Sequence, residues 1–156
     1  GNFLVDTLAC KFMFSTGSNI FIRKPVFDEL NGFDVTFLRH QDYEFLVRIF
    51  KRYSLQAISE VLVIKNNENL NLPDVYKMID IKSQFLDKYK SIIEGLQDKN
   101  QSYIFHNHYI YIAELALKTK QLSLADNYYL RAKEHCSLTI RNRFRRTIFT
   151  ILNFMK

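Results

Sequence analysis

Gly32-Phe33-Asp34, followed after a short polar run by His40-Gln41-Asp42-Tyr43-Glu44-Phe45-Leu46-Val47-Arg48, joins a turn signal to the start of a helix. Asn31-Gly32 supplies the turn. Beyond it, Phe45, Leu46, Ile49, Phe50 and Tyr53 fall at helical spacing, so one face of a helix from Asp42 to Tyr53 is expected to be apolar and buried. Asp42 then sits in the first turn, where free N–H groups and the macrodipole favour a charged carboxylate. Two readings stand for it. An Asp at a helix start is ordinarily a favourable cap. A carboxylate held on a rigid element at the mouth of a cleft can also serve as a general base.

The flanking residues bear on that choice. Ser15-Thr16-Gly17-Ser18-Asn19-Ile20-Phe21-Ile22-Arg23-Lys24-Pro25-Val26-Phe27, then Leu30-Asn31-Gly32-Phe33-Asp34, then Gln41 to Ile49, occur in a telling order. In that order and spacing they resemble the acceptor-side, C-terminal part of family 2 glycosyltransferases, which have the GT-A fold. Such proteins show a small-residue strand ending in a basic pair, a Gly-Phe-Asp turn, and a Glu-Asp pair opening a helix with an Arg about six residues on. Gln41 stands here where the Glu of that pair would be; Asp42 is kept. The resemblance covers residues 3–68.

The resemblance implies a fold, a reaction and a site. The fold would be α/β, the C-terminal half of a GT-A-type sheet domain. The reaction would move a sugar from a nucleotide-sugar donor to a hydroxyl of a sugar or lipid-linked acceptor, with inversion, in bacterial surface polysaccharide synthesis. Asp42 would be the catalytic base. Thr16, Gly17, Ser18, His40 and Gln41 would line the acceptor cleft, and Lys65 would reach the donor phosphates. Asp34 reads instead as a turn residue bonding its own backbone. The family's divalent metal, Mn²⁺ or Mg²⁺, is held by an Asp-X-Asp motif, which occurs nowhere in this chain. There is no Gly-rich phosphate loop either. The chain is therefore expected to lack the donor and metal half of a longer enzyme, to hold no metal itself and to be inactive alone. Gly1 in place of Met agrees with an excised piece.

Composition narrows the alternatives. At 156 residues with 47% hydrophobic content, one domain or slightly more can bury a core. No apolar run approaches 18 residues and no signal-peptide pattern opens the chain, so a cytoplasmic protein is expected, at most peripheral on the inner membrane face. Cys10 and Cys136 have no metal-like spacing and are expected as free, buried thiols in a reducing compartment. The four His form no zinc pattern. The net charge of +6 is uneven: after Glu134 come Arg141, Arg143, Arg145, Arg146 and Lys156, and no acid.

The rest of the chain divides in two. Strands are expected over Lys11–Phe14, Ser18–Arg23 and Leu55–Ile64, with a short helix over Pro25–Leu30. Four Asn within 65–71 and Pro73 mark a boundary, giving a catalytic part over 1–72 and a helical extension over 73–156. Helices are expected over Asp74–Leu96 and Ser102–Lys118, then from an N-cap at Ser123 with Asp126 as its acidic partner. Tyr103 to His135 resembles one tetratricopeptide-type hairpin, read as a packing appendage because such units need neighbours. A last helix, Thr139–Met155, sets Arg141, Arg145 and Arg146 beside an apolar stripe. It either packs on the hairpin or lies on an anionic membrane surface. Nucleic acid is not expected as a partner, since the aromatics lie in apolar stripes rather than on a basic stacking platform. Against the transferase stands a second class, a helical protein-interaction or membrane-docking module without catalysis.

Overall fold

The structure is a computed structural model that describes residues 3–12, 17–64, 72–139, 142, 143 and 147, apart from the side chain of Ser18. The chain divides into two compact units, Gly1–Leu70 and Asn71–Lys156.

The described residues of the first unit form three helices, α1 (Leu4–Leu8), α2 (Lys24–Glu29) and α3 (Gln41–Phe50). The apolar face of α3 is its organiser. Phe45, Leu46, Ile49 and Phe50 are buried there together with Leu30, and Phe3, Leu4, Phe12, Ile20, Ile22, Val26 and Phe27 pack against them. Aromatic rings carry much of the contact. Phe12 meets Phe50 edge-on at 5.5 Å, and Phe45 meets Phe27 at 5.5 Å and Phe33 at 4.9 Å. Such pairs add about 0.5–1.5 kcal/mol each beyond the area they bury. Pro25 lies in the first turn of α2, where its missing N–H costs nothing. Asn31 and Gly32 follow that helix with φ of 57° and 62°.

The second unit contains α4 (Val75–Lys88), α5 (Lys90–Glu94), α6 (Asp98–Lys118) and α7 (Leu122–His135). Asp74 caps α4 by accepting from the N–H of Lys77 at 2.9 Å. Helices α6 and α7 form a hairpin, and the half-buried His106 ties them through Nδ1 to the carbonyl of Ala132 at 2.9 Å. Ile112, Ala113, Ala116, Ala125, Tyr129 and Ala132 fill its core, with Val75, Met78 and Ile81 of α4 in the same cluster. Small residues at the crossing let the two backbones approach closely.

The expected α/β sheet is overturned: the described residues contain seven α-helices and one 3₁₀ turn, and no strand. Where Ser18–Arg23 was to be a strand, a 3₁₀ turn occupies Gly17–Asn19 and residues 20–23 are irregular. Leu55–Ile64 is also irregular, with Val61 and Ile64 more than four-fifths exposed. The physical reason is that a strand exists only in a ladder, and among the described residues no second strand offers its backbone groups to these segments. A β-branched run expresses a preference for a pleated surface and does not supply one. Of Lys11–Phe14, residues 11 and 12 are irregular and the others lie outside the described residues.

Smaller corrections follow local geometry. The Asp74–Leu96 helix is two, broken at Tyr89. Ser123 does not cap α7, which starts at Leu122 with Gln121 at the cap. Lys120 turns left-handed there, and the Gln121 N–H bonds back to Ala116. Both cysteines are free, but neither is buried: Cys10 is half-buried and Cys136 exposed. Of the expected last helix, only residues 139, 142, 143 and 147 are described, and Arg141, Arg145 and Arg146 lie outside them.

Candidate functional site

The candidate site is built at the N-terminus of α3. The turn that delivers the chain to it is clamped from below. Arg48 donates from Nε and Nη2 to the two carboxylate oxygens of Glu44, at 2.9 and 2.8 Å. The same guanidinium donates to the Gly32 carbonyl at 2.6 Å and to the Leu30 carbonyl. Glu44 is fully buried, and this fork brings an opposite charge to it. The i,i+4 spacing puts both groups on one helix face, and the planar guanidinium serves carboxylate and turn together.

Above the clamp, the loop 33–40 is held by its own side chains. Asp34 Oδ1 accepts from the N–H and the hydroxyl of Thr36, at 2.9 and 2.7 Å, as a turn residue does. Phe37 is buried, and its carbonyl accepts from Gln41 Nε2 at 2.6 Å. The side-chain amide of Gln41, expected at the acceptor cleft, is thus engaged in fastening the loop. His40 precedes α3 with φ 62°, a left-handed conformation for a non-glycine residue. Its ring lies 5.6 Å from that of Tyr43, whose hydroxyl donates to the Phe12 carbonyl at 3.1 Å.

Asp42 occupies the first turn of α3 and is half-buried. Its Oδ1 accepts from the N–H of Tyr43 at 2.8 Å. Its Oδ2 faces Gly17. A methyl group placed on Gly17 would stand 3.7 Å from that oxygen, in ordinary contact and without strain. Two residues 25 positions apart, each singled out from sequence, are therefore neighbours, with bare backbone beside a carboxylate. Thr16 and Lys65 lie outside the described residues, as does the side chain of Ser18.

Sequence reasoning gave Glu44 and Arg48 no role of their own. The available signal was a Glu–Arg pair at i,i+4 on the apolar helix, beside a turn whose carbonyls need donors. A second charged group lies away from Asp42. Glu29 accepts from the Tyr53 hydroxyl at 2.5 Å and from Arg52 at 2.7 Å. The Tyr53 hydrogen bond, then that of Arg52, hold its carboxyl below the usual range, while Glu29 pushes the phenol of Tyr53 up. Among the described residues, no three His, Cys, Asp or Glu side chains are grouped to hold a metal ion, and no helix is long and apolar enough to cross a membrane.

No family model, no curated protein and no solved structure matches this chain.

Proposed function

We propose that this chain is the acceptor-side part of an inverting glycosyltransferase, with Asp42 as the base. The observation that carries the reading is the juxtaposition of Gly17 and Asp42: a methyl on Gly17 would come 3.7 Å from Oδ2. Glycine leaves open the space from which a hydroxyl can approach the carboxylate. His40 and Gln41 directly precede Asp42 in sequence. The reading rests on this site and not on a sheet, since function resides in sites rather than folds.

In this reading, the acceptor hydroxyl gives its proton to Asp42 as its oxygen attacks the anomeric carbon of the nucleotide-sugar. The new carbon–oxygen bond forms on the face opposite the departing diphosphate, so the configuration inverts. A divalent metal would neutralise the leaving diphosphate. The described residues do not fit such an ion: the sequence has no Asp-X-Asp and no acidic group gathers. No step is therefore assigned to it here.

The test is sugar-nucleotide turnover by the full-length protein with Mn²⁺ or Mg²⁺ and a panel of sugar and lipid-linked acceptors. Asp42→Asn should lower transfer by about 10²–10⁴-fold, the usual worth of a positioned base, with an unchanged circular-dichroism spectrum. Transfer that survives the substitution removes Asp42 as the base. No turnover with any acceptor in the panel rejects the transferase reading.

A further inference from the structure

We infer that Tyr43 is the residue that positions Gly17 against the Asp42 carboxylate. It holds both sides of that pair. Its backbone N–H donates to Asp42 Oδ1 at 2.8 Å, and Oδ2 is then the oxygen beside Gly17. Its hydroxyl donates to the carbonyl of Phe12 at 3.1 Å, across 31 positions of sequence. Phe12 stands five positions before Gly17, on the connection that carries it.

The hydroxyl bond matters because the ring contacts of Phe12 do not set a register. That ring stacks on Phe3 at 4.9 Å and meets Phe50 edge-on at 5.5 Å. Apolar contact of this kind is non-directional and tolerates sliding along α3. A hydrogen bond is short and directional, so it fixes one position. Tyr43 and Phe50 lie seven residues apart on α3, two turns along one face. The ring and the carbonyl of Phe12 thus engage two different turns of the helix. Its N–H is also engaged, on the Asp6 carbonyl at 3.1 Å. Downstream of Gly17, Ile20 packs on the α3 core and donates its N–H to the Gly17 carbonyl at 3.1 Å. Gly17 is therefore bracketed by two anchors on the same helix, and the polar one ends on the residue next to Asp42.

The spacing can be read without turnover. A Cβ on Gly17 would lie 3.8 Å from that of Asp42, within the roughly 3.5–4.5 Å that a disulfide spans. Gly17→Cys with Asp42→Cys in the full-length protein should therefore close a disulfide, identified by mass spectrometry as a linked peptide pair. Equilibration with reduced and oxidised glutathione gives the effective concentration of the two thiols. Adding Tyr43→Phe, which removes the hydroxyl and keeps the ring, should lower it about fivefold, the worth of one hydrogen bond. If Tyr43 only stabilised the fold, this value would not move while the circular-dichroism spectrum stays that of the folded protein. With Gly17 and Asp42 in place, Tyr43→Phe should lower kcat at least about tenfold at an unchanged donor KM, because the base is displaced. The effect on kcat rests on the reading of Asp42 as the base, whereas the disulfide does not. Turnover that is absent, or that survives Asp42→Asn, retires the base and leaves the disulfide to decide the role of Tyr43. An effective concentration unmoved by Tyr43→Phe overturns the inference. So does a double-cysteine protein that forms no disulfide, or a Tyr43→Phe protein that turns over sugar nucleotide at the parent's kcat.

Discussion

Gly32 decides the turn before the candidate site by having no side chain. Its φ is +62°, and a methyl there would fall 2.9 Å from the ring of Phe27, which is itself packed on Phe33 and Phe45. Gly32→Ala is therefore expected to cost at least about 1 kcal/mol, seen as a lower urea midpoint at unchanged slope. Asn31-Gly32 was legible in the sequence because few residue types accept a left-handed backbone. His40 adopts the same conformation and was not legible, since nothing in a histidine announces it. At Glu29 the sign of the pH dependence follows from its lowered pKa. The stabilisation is present above the ordinary carboxylate pKa and is lost as pH falls through the lowered one. It is small, since the group is exposed. Tyr53→Phe should raise the Glu29 pKa toward its ordinary value in an NMR titration, because the Tyr53 hydrogen bond is the largest cause of the shift. An unmoved pKa would show that the bond is absent in solution.

Helix α3 is the element that ties turn, core and candidate site together. Its apolar face could be read from spacing alone, because burial of Phe45, Leu46, Ile49 and Phe50 needs only the helical period. Its polar interior could not. The Glu44–Arg48 fork depends on where the Leu30 and Gly32 carbonyls point, which is tertiary information. Arg48→Ala would leave a fully buried carboxylate and two carbonyls without this donor, and should destabilise the first unit by about 3–5 kcal/mol. Replacing both partners, Glu44→Leu with Arg48→Met, should restore a large part of that loss in the same urea titration. If the single and double variants are equally unstable, the fork is not what holds the turn. The helices of the second unit were legible by the same periodicity. The joint after Lys118 was legible too, but the break at Tyr89 and the left-handed Lys120 were not, because they arise from packing and turn geometry rather than from Gly or Pro.

At the scale of the whole chain, the resemblance implied a sheet and the described residues form none. Alternating apolar residues around Ile20 and Val61 carry the period of a strand, but pairing depends on where two segments meet, and periodicity within each does not carry that. An infrared amide spectrum should accordingly be dominated by the helical band, with no resolved sheet component. Of the residues expected at an acceptor site, Gly17 lies beside Asp42, whereas the Gln41 amide is drawn into holding the loop. In the proposed reaction an acceptor hydroxyl meets Asp42 over the bare backbone of Gly17. The most direct measurement is the steady-state kinetics of Gly17→Leu in the full-length protein. Gly17 is exposed and its φ lies outside the left-handed region, so the fold should tolerate the substitution. The acceptor KM should rise at least about tenfold with the donor KM unchanged, as expected when one substrate's binding space is filled. An acceptor KM equal to that of the parent would contradict it.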